Sequence, residues 1–184
     1  MQLQFRTATT EDAPQLQTLI ESAFRAQDTR PGWIDNLGLS ATFSISTEEI
    51  KTILTKPDSE MLLAFTTDNN KTNHENLVGT ISVSKRAGDI GRLALLAVKP
   101  AHASGGSGRQ TLDYGEDYCI RVWGVERLSL NALSDRVQLR AWYARRGYVE
   151  TGETAPFPRK KFTELELPDG LCFVEFEKGV SEGV

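Results

Sequence analysis

Cysteine and histidine are scarce: two of each among 184 residues leave no disulfide scaffold and too few thiols and imidazoles for a zinc site. Cys119 and Cys172 both sit among apolar neighbours, where a thiol behaves as a small hydrophobe. Two free thiols and a reducing compartment are therefore expected. Long apolar runs are missing as well. No stretch approaches the ~20 residues that a membrane-spanning helix requires, and Met1-Gln2-Leu3-Gln4-Phe5-Arg6 lacks the apolar core of a secretion signal. Nor is there a basic excess, since 21 Lys and Arg face 25 Asp and Glu for a formal net charge of -4. That balance argues against nucleic acid as the main partner and suits a cationic or neutral substrate. What remains is a single cytoplasmic domain spanning residues 1–184, with 39% hydrophobic residues to form a core without disulfides or metals.

What the chain does have is a nearly continuous apolar run, Ile90 to Val98, followed by Lys99-Pro100 and a glycine-rich bend from Ala103 to Arg109. The run predicts a central strand buried on both faces. After the bend, Gly108, Leu112, Gly115, Cys119 and Val122 recur at helical spacing, and Gly124 is placed to end that helix. A glycine bend between strand and helix leaves backbone N–H groups unpaired at the positive end of a helix dipole, which favours a phosphate or pyrophosphate. A flexible connecting turn has the same composition, so the glycines alone leave both readings open. Two nucleotide templates do not fit. Arg109-Gln110 stands where a phosphate loop needs Lys-Ser/Thr, and Thr111 stands where a dinucleotide fingerprint needs its third glycine.

Around this centre the alternation of Leu3 to Thr7 predicts a short strand, and Thr9-Thr10-Glu11-Asp12 a helix start. Ala13, Leu16, Leu19, Ile20, Ala23 and Phe24 supply the apolar face of that helix, which ends near Arg25. Residues 26–44 read as a loop, with or without a short helix, in which Trp33 and Phe43 either line a cleft or plug the core. Ser46-Thr47-Glu48-Glu49 is a capping box for a helix that stops before Pro57. Met61 to Phe65 and Leu77 to Val83 read as a hairpin around the polar loop Thr66 to Asn76, with His74 a solvated surface residue there. Arg127 to Leu133 is the next strand, and Ser134 or Asp135 caps a helix through Arg146 that Gly147 ends. Tyr148 to Gly152 and Leu171 to Glu177 are the last strands, joined by a loop from Glu153 to Gly170.

The order of these pieces resembles the GCN5-related N-acetyltransferases. The resemblance rests on Leu96-Ala97-Val98-Lys99-Pro100, on Gly106-Ser107-Gly108 as the end of an Arg/Gln-x-x-Gly-x-Gly/Ala bend, and on Ala141-Trp142-Tyr143-Ala144-Arg145-Arg146-Gly147-Tyr148 as a Tyr-x-x-x-Gly-Phe/Tyr segment. It covers roughly Ile90 to Gly152, and Phe5-Arg6-Thr7-Ala8-Thr9 with Asp12 looks like the start of that family. Two positions depart from the pattern: Ala103 stands where an Arg or Gln side chain would reach phosphate, and Ser107 where a hydrophobic residue often lies between the last two glycines.

The resemblance implies a mixed α/β fold, a splayed sheet of about seven strands flanked by about four helices. It also implies acetyl-CoA as cosubstrate, without a metal, and direct transfer of acetyl to an amine, most simply of a small molecule. Protein acetylation and a non-catalytic CoA-binding domain are the alternatives, and a homodimer is compatible with either. By the same resemblance, backbone groups of Leu96, Ala97 and Val98 would pair with the pantetheine amides. Ala103, Ser104, Gly105, Gly106, Ser107, Gly108 and Arg109 would surround the pyrophosphate. Tyr143 matches the family's general acid, and a phenol can protonate a departing thiolate. Asn131 lies where the strand after the helix would approach the thioester, and either holds a water or a substrate amide there or is a structural asparagine near a turn. No general base is evident. Glu116 is expected to be structural, with a helical phase away from the Gly108, Leu112 and Cys119 face.

Overall fold

The alternation that starts at Leu3 builds an edge strand, and the run from Ile90 builds the middle of the same sheet. The computed structural model describes residues 2–35, 37–67 and 75–180. Its strands are β1 (Gln4–Thr7), β2 (Ser59–Thr67), β3 (Glu75–Arg86), β4 (Ile90–Val98), β5 (Arg127–Leu133), β6 (Val149–Pro156) and β7 (Cys172–Gly179), arranged β1-β2-β3-β4-β5-β7-β6. Only β4 and β5 run parallel; every other neighbouring pair is antiparallel. The crossover that a parallel pair requires is the helix α4 (Ser107–Trp123).

Helices α1 (Ala13–Arg25) and α3 (Thr47–Thr55) cover one face of the β1–β4 half of the sheet. Leu16, Ile20 and Ile50 pack there on Met61, Leu63, Leu77 and Ala97. The start of α1 is tied down by a carboxylate: Asp12 accepts from the Thr9 N–H at 2.8 Å and from the Arg6 guanidinium at 2.8 and 2.9 Å. Hydrogen bonding from Arg6, assisted by Thr9 and opposed by burial, holds the Asp12 carboxyl well below the usual carboxylate range. The expected capping box of α3 is present, with the Glu49 N–H donating to Ser46 Oγ at 3.1 Å and the Ser46 N–H to Glu49 Oε2 at 2.7 Å. Within the 26–44 stretch a single turn, α2 (Leu39–Thr42), forms. Phe43 there stacks on Phe24 at 4.4 Å, and Arg30 lies 4.2 Å over the Trp33 ring.

The opposite face is covered by α4 and by α5 (Val137–Ala144). Leu112 and Cys119 meet Leu62, Ile81, Leu93 and Leu128 in one cluster, and each buried large apolar side chain there contributes ~1.5–3 kcal/mol. Contact with the sheet is closest at Gly115 and Gly91. A Cβ on Gly115 would lie 3.1 Å from Ile81 Cδ1, and one on Gly91 would lie 2.8 Å from Cys119 Cβ. Gly108 has no such constraint, since its Cβ would meet Val98 Cγ2 at an ordinary 3.9 Å.

Several expectations need correction. Val122 is 48% exposed, whereas Glu116 shares the buried face of α4, one turn beyond Leu112. Its burial is balanced by donors: Tyr148 Oη gives a hydrogen bond at 2.9 Å and Lys178 Nζ one at 2.7 Å, so Glu116 is structural as expected but on the inner side. Helix α5 begins at Val137 without a side-chain cap, because Ser134 Oγ instead accepts from the Cys172 N–H at 3.2 Å. Strand β6 continues past Gly152 to Pro156 through an irregularity between Glu150 and Thr154. Strands β2 and β3 run further into the expected 66–76 loop, and His74 lies outside the described residues.

Candidate active site

Strand β4 is not buried on both faces throughout, and the reason locates the site. Its pairing with β5 is confined to Ile90–Arg92 against Arg127–Ser129. Beyond Arg92 and Ser129 the two strands part among the described residues, leaving a V whose walls are 93–98 and 130–133. At ~3.3 Å per residue, the six residues from Arg92 to Val98 make the opening ~20 Å deep. A bulge bends β4 away: between the pairs Thr80↔Ala97 and Ser82↔Ala94, Ile81 alone faces both Leu95 and Leu96, and Leu95 carries φ 48. A leucine in that region is strained, so the surrounding pairing must hold it.

The parting leaves backbone groups of β4 without a strand partner. Lys99 N–H donates to the Val78 carbonyl at 2.8 Å, which turns Lys99 and, two residues back, Ala97 towards β3. Leu96 and Val98 therefore present their N–H and C=O groups to the gap. Of the three residues expected to pair with a ligand's amides, Leu96 and Val98 turn backbone groups to the gap, while Ala97 turns its own towards β3.

At the mouth of the V the chain makes a 3-10 turn over Pro100–His102 and enters α4 through Gly106, whose φ of 79 only glycine adopts readily. The Ala103 and Gly105 N–H groups are taken up by the carbonyls of Pro100 and His102, at 3.2 and 3.3 Å. By contrast the N–H groups of Ser107, Gly108 and Arg109 meet no backbone acceptor among the described residues, as the first turn of a helix dictates. Ser104 and Gly106 are exposed beside them. Ser107 is fully buried, with its Oγ unpartnered among the described residues and its carbonyl accepting from Thr111 Oγ1 at 2.8 Å. The set of unpaired N–H groups is thus narrower than the whole 103–109 run.

Tyr143 and Asn131 flank the V from opposite faces. Tyr143 is buried on the α4/α5 side, among Trp142, Tyr148 and Phe176, in the cluster that also holds Leu93, Leu96, Leu130 and Ala132 from the two walls. Burial pushes its hydroxyl up to about 12, so it is protonated at neutral pH, and it has no hydrogen-bond partner among the described residues. Asn131 points to the other face, where its Nδ2 donates to Glu175 Oε1 at 3.0 Å. The same carboxylate accepts from both arms of the Arg92 guanidinium, at 2.6 and 3.3 Å.

This Arg92–Glu175–Asn131 cluster sits where the V closes, beside a cavity of about 630 Å³ lined by Arg86, Arg92, Ser129, Glu153 and Glu175, among others. Burial raises the Glu175 carboxyl, but hydrogen bonds from Arg92 and Asn131 outweigh it and hold the group ionised below its ordinary value. Reading the sequence strand by strand misses this cluster. Its one local signal is Arg92 itself, a charge in an otherwise apolar central strand that must find a partner elsewhere. Cys119 has no comparable chemistry, because burial pushes its thiol up to about 12.

The comparisons agree with this geometry. No curated protein sequence matches the chain. Among solved structures it is similar to the PaiA N-acetyltransferase from Thermoplasma acidophilum in complex with coenzyme A, at 18% identity and TM-score 0.68 over 98% of this chain and 100% of that one. It is also similar to the ribosomal-protein alanine N-acetyltransferase from Escherichia coli, at 16% identity and TM-score 0.67 over 100% and 97%. A spermidine N-acetyltransferase chimera from Vibrio cholerae and hSSAT is similar at 12% identity and TM-score 0.64 over 97% and 96%. Residues 17–148 match the model of the acetyltransferase (GNAT) family, a span that contains the strand, the bend and Tyr143. With a splayed β4–β5 pair leading to the glycine bend and helix start over that same span, the chain belongs to the GNAT family of acetyltransferases.

Proposed function

We propose that the protein transfers an acetyl group from acetyl-CoA directly to the amine of a small molecule, with the V between β4 and β5 as the donor site. The single observation that carries this reading is the unpaired edge of β4, which ends at the unpaired N–H groups of the bend. An extended arm with amides can add to that edge as a further strand, through Leu96 and Val98. A diphosphate then meets Ser107, Gly108 and Arg109 at the N-terminus of α4. Acetyl-CoA supplies an activated acyl group; the chain's residues position it and manage charge and protons.

Tyr143 reaches the V from the α4/α5 side and is the proposed proton donor to the leaving sulfur. On the opposite face Glu175, kept ionised by Arg92 and Asn131, offers a negative charge to an incoming ammonium. Its lowered proton affinity suits it to binding the amine more than to accepting the proton in one step. The ammonium gives one proton to solvent before the neutral amine attacks the thioester carbon. The C–S bond then breaks, the sulfur takes the Tyr143 proton, and the proton lost from the new amide nitrogen restores the phenol. The cavity beside it is of small-molecule size, which supports a small acceptor over a folded protein.

The test is thiol release from acetyl-CoA in the presence of a panel of amines, with mass spectrometry of the product. Amine-dependent release with an N-acetylated product is the expected result. Release that no amine accelerates, or acetylation found only on added protein, would overturn the reading.

A further inference from the structure

Strand register sets Arg86, Arg92, Ser129, Glu175 and Glu177 on one face of the sheet, around the cavity of about 630 Å³ beside the V. Most of these charges are spent on each other. Arg92 binds Glu175 at 2.6 Å, and Glu177 accepts from Arg127 at 3.1 Å. Two lining charges have no ion-pair partner among the described residues: Arg86 at the end of β3 and Glu153 in the irregular part of β6. The cavity is therefore polarised across the sheet, with a free cation on the β3 side and carboxylates on the β7 and β6 side.

Between the two sides stands Ser129. It is 6% exposed, its Oγ meets no hydrogen-bond partner among the described residues, and β5 sets it level with Arg92 and Glu177. A buried hydroxyl left unpaired costs stability unless a ligand completes it. Arg86 is unsatisfied in another way. Burial, then the nearby Arg92, push its pKa below the ordinary guanidinium value, and Glu175 offsets only part of that. A guanidinium crowded by another cation gains from an anion of its own.

The neighbours say which anion. Glu153, Glu175 and Glu177 line the same cavity and would repel a dianion such as a phosphate monoester, whereas a carboxylate carries one charge and matches the guanidinium fork with both oxygens. The same glutamates suit an ammonium. Register orders the two groups: Glu175 is level with Asn131, beyond the last β4–β5 pair and nearer the V, whereas Arg86 is level with Ile90, further from it. A molecule with an amine at one end and a carboxylate at the other thus lies with its amine towards the thioester.

We infer that the acceptor is a free amino acid, its carboxylate held by Arg86 and Ser129 while its amine meets Glu175. The inference rests on the acceptor site proposed above and narrows it from amines in general to amines that carry an acid.

Thiol release from acetyl-CoA with a panel of free amino acids, each beside its own carboxamide and the amine that lacks the acid group, tests it. At least one amino acid should be N-acetylated by the wild type. Arg86→Gln should lower the acid-to-amide ratio of kcat/KM by at least about ten-fold, chiefly through the KM of the acid. Comparing that ratio between the two proteins cancels the difference in basicity between acid and amide. Arg86→Lys, which keeps the charge but loses the fork, should restore part of the ratio, and Ser129→Ala should lower it by less than Arg86→Gln does. An unchanged ratio in Arg86→Gln, or turnover of amines without a carboxylate and of no amino acid, would overturn the inference while leaving transfer to an amine standing. Thiol release that neither amino acids nor amines accelerate would overturn both.

Discussion

The two flanks of the V are built from different materials. The donor flank is backbone: the open edge at Leu96 and Val98 and the N–H groups of Ser107 to Arg109, all within one short run of chain. The acceptor flank is side chain: Arg92, Asn131 and Glu175 come from three strands, and Arg92 and Glu175 stand 83 residues apart. Backbone donors need only the right turn at the end of the right strand, and most side chains along it are free to vary. A carboxylate beside an arginine needs each residue in register. The first arrangement should tolerate Ala103 in place of a phosphate-binding side chain, while the second should fail if one partner is lost.

Substitutions should expose this asymmetry, and the largest effect is expected between the flanks. Tyr143→Phe should lower turnover by ~10²–10⁴-fold while leaving the CoA dissociation constant unchanged, since only a proton donor is removed. Single-turnover kinetics beside calorimetry checks it, and unchanged turnover with chemistry rate-limiting would return Tyr143 to packing.

On the acceptor flank Arg92→Met leaves the Glu175 charge without its main partner in a partly buried site. A loss of about 3 kcal/mol in urea unfolding is expected, much of it recovered when Glu175→Leu is added. Additive losses would show that the two side chains do not depend on each other.

Acid should act next. Asp12 and Glu175 both titrate below their ordinary values in the folded protein, so their stabilisation is present above the normal carboxylate range and is lost as pH falls through the folded values. Each group adds a slope of up to about 1.4 kcal/mol per pH unit in that window. Thermal unfolding of Asp12→Asn between neutral pH and pH 3 should show a shallower decline than the wild type; identical slopes would deny Asp12 its part.

The smallest effect belongs to the donor flank. Ala103→Arg adds one charged hydrogen bond beside the backbone N–H groups of the proposed diphosphate site, and should tighten CoA by about ten-fold, less at high salt. An unchanged constant would place the diphosphate out of reach of that position.

The same difference in materials decides how much was legible in the sequence. The run Ile90 to Val98, the bend and the helix after it lie consecutively, so local spacing and a family resemblance were enough to place them. The opening of the V was not readable from composition, because it depends on a leucine at positive φ where no glycine marks the bulge. Residue 175 reads locally as one polar position in an alternating strand, and only the β5–β7 register sets it opposite Asn131. Glu116 is a different case. Helical phase by itself places Glu116 inside, four residues beyond Leu112 on the same face, and Tyr148 and Lys178, both distant in sequence, supply the donors that let a carboxylate sit there.

The central claim is that the unpaired edge of β4 and the first turn of α4 together hold the donor, and a crystal structure of the protein with CoA tests it most directly. The expected density runs between β4 and β5, with the pantetheine amides within hydrogen-bonding distance of the Leu96 and Val98 backbone and the diphosphate on the N–H groups of Ser107, Gly108 and Arg109. CoA bound elsewhere, or a V closed by pairing of 93–98 with 130–133, would contradict it.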